Sequence, residues 1–133
     1  LEVDEENYLL KIQYIEGPLL KDLIDDGGDF MDYARKAGES LKKLHEAGFV
    51  HNDLTTSNMI ASDGELYFID FGLAYPSRRL EDYAMDLVVF KKSLAASHPK
   101  QYEKFWSSLQ SAYNPGETVL KRVEKIMNRV RYS

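Results

Sequence analysis

His51-Asn52-Asp53-Leu54-Thr55-Thr56-Ser57-Asn58, followed by Ile69-Asp70-Phe71-Gly72, is the stretch whose reading decides the fold. One aspartate, an asparagine five residues after it and a second aspartate further on supply one base and two hard oxygen ligands. Transfer of a phosphoryl group needs little covalent help and much positioning of charge, so a site for it is mostly carboxylate, amide and magnesium. In that reading Asp53 orients the attacking hydroxyl or water and accepts its proton. Asn58, from the same loop, and Asp70 would supply two oxygen ligands for magnesium. An amide and a carboxylate, with water and phosphate oxygens completing the shell, suit magnesium's octahedral preference and give zinc nothing it prefers.

The flanking sequence supports the motif. Phe30, Ala34, Ala37, Leu41 and Leu44 recur at helical spacing, and Gly48 follows as a stop signal, so a helix over 33–47 delivers the chain into the loop. Met59-Ile60-Ala61-Ser62, Asp63-Gly64 and Glu65-Leu66-Tyr67-Phe68-Ile69 read as a tight hairpin around an Asp-Gly turn, between Asn58 and Asp70. Either motif alone is common. Together, in this order and with this context, they resemble a protein-kinase catalytic loop and magnesium loop.

The opening segment fits the same resemblance. Tyr8-Leu9-Leu10-Lys11-Ile12-Gln13-Tyr14-Ile15-Glu16-Gly17-Pro18 is a strand-like run ended by Gly-Pro, and it resembles the last N-lobe strand and hinge of a kinase. The resemblance implies Ile12 as gatekeeper, with the backbone of Gln13 and Ile15 hydrogen-bonding the adenine; the alternative is an ordinary edge strand. A Gly-rich phosphate loop and a lysine-bearing strand belong before the hinge in a kinase, and only residues 1–8 stand there. The expectation is therefore a fragment of a longer chain; completion of the site by another polypeptide and weak nucleotide binding are the alternatives. The expected fold class is α+β, a protein-kinase-like C-lobe over residues 17–133, mainly helical with a short catalytic-loop hairpin. Residues 1–16 are read as a remnant N-lobe strand and hinge.

Composition sets the outer limits. The 133 residues suffice for one domain with a real core, 44% of them are hydrophobic, and there is no cysteine for a disulfide or a thiol nucleophile. No apolar run approaches the roughly 20 residues of a membrane span, and the acidic start Leu1-Glu2-Val3-Asp4-Glu5-Glu6 is unlike a secretory signal. A cytoplasmic protein without a membrane partner is expected. The net charge of −5 hides an asymmetry: residues 1–32 hold ten Asp or Glu against two Lys, whereas residues 100–133 hold seven Lys or Arg against three Glu. Lys121, Arg122, Lys125, Arg129 and Arg131 read either as the solvated face of an amphipathic helix, opposite Val119, Leu120, Val123, Ile126, Met127 and Val130, or as a surface for an RNA phosphate backbone.

A narrower resemblance rests on Leu44-His45-Glu46-Ala47-Gly48-Phe49-Val50-His51, on Asp53-Leu54-Thr55-Thr56-Ser57-Asn58, on Ile69-Asp70-Phe71-Gly72-Leu73-Ala74 and on Glu81-Asp82-Tyr83-Ala84-Met85-Asp86-Leu87. From about Ile12 to Leu94 the chain resembles the small atypical kinases of the KEOPS (EKC) tRNA-modification complex. Thr55 stands where ordinary Ser/Thr kinases place Lys. Asn52 departs from the family's Gly, and the family's strongly basic tail is reduced here to residues 129–133. The resemblance implies ATP and Mg2+ as cofactors, a threonylcarbamoyl transferase subunit as partner, sometimes fused, and contact with other KEOPS subunits and tRNA. It also implies that Asp86 holds the catalytic-loop backbone.

The sequence after Asp-Phe-Gly is short. Residues 73–80 lead directly to the next helix, no Ala-Pro-Glu follows, and no Arg precedes Asp53, so neither a peptide platform nor control by loop phosphorylation is expected. Ser77, Tyr75 and Tyr83 read as loop and helix-start residues. The kinase resemblance implies His51 beneath Phe71; His45 is expected as a helix-end histidine, and His98 as a residue that favours the negative end of its helix. Helices over 81–97 and 100–113, the latter placing Tyr102, Phe105, Trp106, Leu109 and Tyr113 in the core, are separated from a terminal helix by Asn114-Pro115-Gly116. The function expected is ATP-dependent phosphotransfer or ATP hydrolysis, as an atypical Ser/Thr kinase or ATPase supporting threonylcarbamoyladenosine formation on tRNA. The alternatives are a small-molecule phosphotransferase of the aminoglycoside or choline kinase type and a pseudokinase interaction module.

Overall fold

In a computed structural model the described residues are 2–4, 9–11, 15–114 and 116–132. Strand β1 (Glu2–Asp4) pairs antiparallel with β2 (Leu9–Lys11), Val3 opposite Leu10. The expected hinge residues Ile12 and Gln13 lie outside the described residues. Gly17-Pro18-Leu19 then runs along the catalytic-loop hairpin, and Ala61 N donates to the Pro18 carbonyl at 3.0 Å. At Gly17, with φ 155°, a Cβ would lie 2.1 Å from the Ala61 carbonyl oxygen, so only glycine permits this approach.

The short helix α1 (Leu20–Asp25) follows, then α2 (Met31–Glu46). The predicted start of α2 falls two residues inside its observed one, and Phe30 stands just before the helix, stacked on Phe105 with ring centroids 5.9 Å apart. Strand β3 (Phe49–Val50) leads to a one-turn 3-10 helix, Thr56–Asn58. The hairpin β4 (Met59–Ser62) and β5 (Glu65–Phe68) closes on Asp63 and Gly64, both with positive φ, as an Asp-Gly two-residue turn requires. Strand β6 (Tyr75–Pro76) pairs with β3, Val50 opposite Tyr75. The segment after Asp-Phe-Gly is thereby stitched to the chain that enters the catalytic loop.

Three helices complete the fold: α3 (Leu80–Ser97), α4 (Tyr102–Ala112) and α5 (Glu117–Tyr132). Helix α3 buries Ala84, Asp86, Leu87, Val88, Phe90, Lys91 and Leu94, and so is apolar on most of its circumference, as expected for a central helix. Lys91 is nearly buried and spans the bundle, its Nζ 3.0 Å from Glu124 Oε1 on α5 and 5.0 Å from the Trp106 ring centroid on α4. Phe105, Trp106, Leu109 and Tyr113 lie in the core as the periodicity predicts. Fold class and helix content agree with the sequence expectation, whereas α1 and the β3–β6 pair carry no sequence signal strong enough to predict them.

Helices α2 and α4 pack at Gly38, where a Cβ would sit 2.3 Å from the Leu109 carbonyl oxygen and 2.9 Å from the Ala112 Cβ. Gly38→Ala is expected to cost about 1 to 3 kcal/mol by overpacking, even though Ala favours a helix. Urea unfolding checks this, and a neutral or stabilising result would show that the two helices can separate without cost.

Candidate active site

The hairpin and two buried acceptors assemble the site. Asn58 ends the 3-10 turn just before β4, Asp70 follows just after β5, and Ile69 N donates to the Asn58 carbonyl at 2.9 Å, so the last rung of the ladder brings the two expected metal ligands to one end of the hairpin. Asn58 Nδ2 donates to the Asp53 carbonyl at 2.8 Å and approaches Asp53 Oδ2 at 3.4 Å. A carbonyl can only accept, so the amide nitrogen is committed to Asp53. The amide oxygen Oδ1 then has no hydrogen bond among the described residues, and it is the atom a hard cation would take. Asp70 is exposed and has φ 58°, a left-handed conformation that Asp tolerates better than bulkier residues. An amide oxygen and a free carboxylate form a donor set that fits magnesium when phosphate oxygens complete the shell. Among the described residues no cluster of three His, Asp or Glu could hold a metal without such help.

His51 joins the two loops. Its Nδ1 accepts from Asp53 N at 3.2 Å and its Nε2 donates to the Ile69 carbonyl at 2.9 Å, which fixes a neutral tautomer. The ring is buried and lies 4.7 Å from the Phe71 ring, as the kinase resemblance implies. Asp86 works from below. Its Oδ2 accepts from His51 N at 3.0 Å and its Oδ1 from Asn52 N at 2.9 Å, so the carboxylate holds the loop backbone as the kinase resemblance implies. Asn52 has φ 71°, the backbone state that suits the glycine of the resembling family and that Asn also adopts; its Nδ2 reaches the Leu73 carbonyl at 3.4 Å.

Two histidines do more than the sequence suggests. His45 is in the last turn of α2, but it is buried, with Nε2 2.8 Å from Asp86 Oδ2 and Nδ1 2.6 Å from the Tyr113 hydroxyl. Burial, then the nearby Asp86 charge, pushes the Tyr113 hydroxyl well above the usual tyrosine range, so it stays a donor. The sequence signal is visible afterwards: Ala34, Ala37, Gly38, Leu41 and His45 form one buried face of α2, and a polar residue on such a face needs a partner. His98, at the end of α3, lies 2.7 Å from Thr56 Oγ1 inside the catalytic-loop turn. No local pattern announces a bond across this separation.

Burial lowers the pKa of His98 from its ordinary 6.5, with Lys21 acting in the same direction and Asp25 opposing. A depressed histidine pKa favours the folded state above the unfolded value, and that contribution is lost as pH falls below about 6.5, where the unfolded chain takes up the proton first. The urea midpoint of the wild type is expected to fall more between pH 7.5 and 5.5 than that of His98→Gln. Equal falls would show that His98 titrates alike in both states.

Ser77 fixes the segment before α3. Its Oγ donates to Asp82 Oδ2 at 2.6 Å, its carbonyl accepts from the Tyr83 hydroxyl at 2.6 Å, and its N donates to the Gly48 carbonyl at 2.8 Å. This segment is short and pinned, as expected from its length. Of the expected adenine-binding residues only Ile15 is described, half-buried just before the Gly17–Leu19 stretch that lies against β4.

A small hairpin set among helices, with Asp53, Asn58 and Asp70 on loops held by buried side chains, is the arrangement of the protein-kinase-like fold. The chain belongs to the phosphotransferase enzyme family, whose model matches residues 18–115. It is 41% identical over 135 residues to a "Probable bifunctional tRNA threonylcarbamoyladenosine biosynthesis protein" of Methanocaldococcus jannaschii, an alignment covering 98% of this chain and 24% of that protein. A protein of the same name from Methanococcus vannielii is 40% identical, again with 98% and 24% covered. The "KEOPS complex subunit Bud32" of Pyrococcus abyssi is 37% identical over 139 residues, 98% of this chain and 63% of its own length. The chain therefore spans about a quarter of the bifunctional relatives it matches. A solved structure described as a divergent kinase lacking the glycine-rich loop, from Toxoplasma, superposes with a TM-score of 0.52 at 20% identity, covering 77% of this chain and 42% of that one, and supports the kinase-like fold. No described helix is long and apolar enough to cross a membrane.

Proposed function

We propose that this chain forms the lower lobe of an atypical kinase or ATPase that turns over ATP with Mg2+ in support of threonylcarbamoyladenosine formation on tRNA. The observation that carries the chemistry is the joining of Asp53 to Asn58 and of Asn58 to Ile69, next to Asp70, by two short hydrogen bonds, with His51 bridging Asp53 N and the Ile69 carbonyl. Asp53 receives the proton of the attacking oxygen, water or a Ser/Thr hydroxyl; Asn58 Oδ1 and an Asp70 carboxylate oxygen hold the metal. Bound magnesium neutralises charge developing on the transferred phosphate. By the kinase resemblance the backbone of Gln13 and Ile15 would hydrogen-bond the adenine, and Ile12 would be the gatekeeper.

The short segment from Leu73 to Arg79, fastened through Ser77 to Gly48, Asp82 and Tyr83, leaves little room for a peptide-docking platform. Water, or a hydroxyl of a bound partner, therefore suits the site better than a free peptide. The biological setting comes from the names of relatives about 40% identical across nearly the whole chain. That likeness supports other KEOPS subunits and tRNA as partners; a threonylcarbamoyl transferase partner and a cytoplasmic setting complete the proposal.

The test is reconstitution of the natural full-length protein with its transferase and tRNA, reading the modified nucleoside by mass spectrometry. Asp53→Asn is expected to lower its formation about a hundredfold or more. Unchanged modification, or phosphorylation of a small alcohol in a substrate screen, would contradict the proposal.

A further inference from the structure

The turn that carries Asn58 is fastened at its first residue to the far end of α3. Thr56 Oγ1 and His98 Nε2 are 2.7 Å apart, and both residues are buried. His98 Nδ1 is also buried and has no hydrogen-bond partner, although it lies 3.3 Å from Asp25 Oδ1 at the end of α1. That carboxylate favours the proton on Nδ1. Nε2 then carries the lone pair, and the Thr56 hydroxyl donates to it.

We propose that His98 is a positioning residue for the metal: by holding Thr56 it fixes the single turn Thr56–Asn58 so that Asn58 presents its amide oxygen to magnesium. This rests on the reading of Asn58 as a metal ligand. The turn needs outside support because one 3-10 turn has poor hydrogen-bond geometry of its own. It is closed by Asn58 N donating to the Thr55 carbonyl at 3.0 Å. Its Asn58 end is held by the Asp53 carbonyl and its Thr56 end by His98. With Asn58 two residues from Thr56 in the same turn, displacement of Thr56 rotates Asn58 away from Asp53. The backbone N of His98 donates to the Leu94 carbonyl at 2.8 Å, so the imidazole is carried on the end of the central helix rather than on a free loop.

Groups that orient a metal ligand commonly change metal affinity by about 10 to 100-fold when removed. His98 acts one step further out, so the lower end is expected. In the natural full-length protein, His98→Ala and Thr56→Val should raise the Mg2+ concentration for half-maximal ATP turnover about tenfold. In protein free of metal and nucleotide, the same variants should speed hydrogen exchange at the Asn58 amide. His98→Gln and Thr56→Ser, which keep a hydrogen-bonding group, should recover most of both effects. Gly38→Ala, destabilised at a distance, should leave both unchanged.

If His98→Ala lowers the melting temperature but moves neither exchange at Asn58 nor the Mg2+ dependence, His98 is only packing and the proposal falls. If exchange rises but Mg2+ dependence does not, the clamp has no bearing on metal and the proposal also falls. Asn58→Ala separates this from failure of the underlying reading: no change in its Mg2+ dependence would remove Asn58 as a ligand, whereas a large change beside an unaffected His98→Ala would overturn the clamp alone.

Discussion

Asp86→Ala is expected to destabilise the fold by about 3 to 5 kcal/mol, a larger loss than that expected of Gly38→Ala. The carboxylate is fully buried and accepts from His45 Nε2, His51 N and Asn52 N. Removing it leaves the His51 N–H and the His45 imidazole N–H buried with no acceptor, and the Asn52 N–H at the loop surface without its partner; each buried loss costs about 1 to 3 kcal/mol. Asp86→Asn should cost less, because the amide oxygen still serves one side while the NH2 opposes a donor on the other. Urea unfolding by circular dichroism checks the order Asp86→Ala worse than Asp86→Asn worse than wild type. Near-equal midpoints for all three would mean that the loop backbone finds other acceptors, water among them.

The second large effect is on turnover. Asp53→Asn is expected to lower the rate about 10² to 10⁴-fold, the range for loss of a positioned general base. The fold should survive, because Asn58 Nδ2 binds the main-chain carbonyl of Asp53 rather than depending on its carboxylate. Asp70→Asn should abolish most turnover by a different route, loss of a charged magnesium ligand, and it too should fold normally since Asn readily adopts the left-handed conformation found at Asp70. Paired measurements of melting temperature and ATP turnover separate the two causes. Asp53→Asn should keep the Mg2+ dependence of its residual rate, whereas Asp70→Asn should shift it upward.

The parts of this molecule legible in its sequence are those whose cause is local. The Asp-Gly turn, the helix leading to Gly48 and the core face of α4 follow from spacing and turn chemistry within a few residues, whereas the His51 ring beneath Phe71 follows from the kinase resemblance. Asp86 was legible for another reason, since it stands at a matching position in a resembling family. His45 was half legible, as a polar residue on a buried helix face with its partner unnamed. His98 was not legible, because its partner Thr56 lies in another loop, 42 residues away in the sequence. The β3–β6 pair escaped for a related reason: two residues on each side carry no periodicity, and the pairing arises from the chain folding back onto Gly48.

The proposed roles of Asp53, Asn58 and Asp70 require that a phosphoryl group moves, and where it goes distinguishes an ATPase from a protein kinase or a scaffold. The most direct measurement follows the labelled γ-phosphate of ATP in the natural full-length protein, with its transferase partner and tRNA, against Asp70→Asn. Free phosphate that rises when partner and tRNA are present, and that disappears in Asp70→Asn, is the predicted result; the absence of turnover in the complete assembly would contradict the site assigned to Asp53, Asn58 and Asp70.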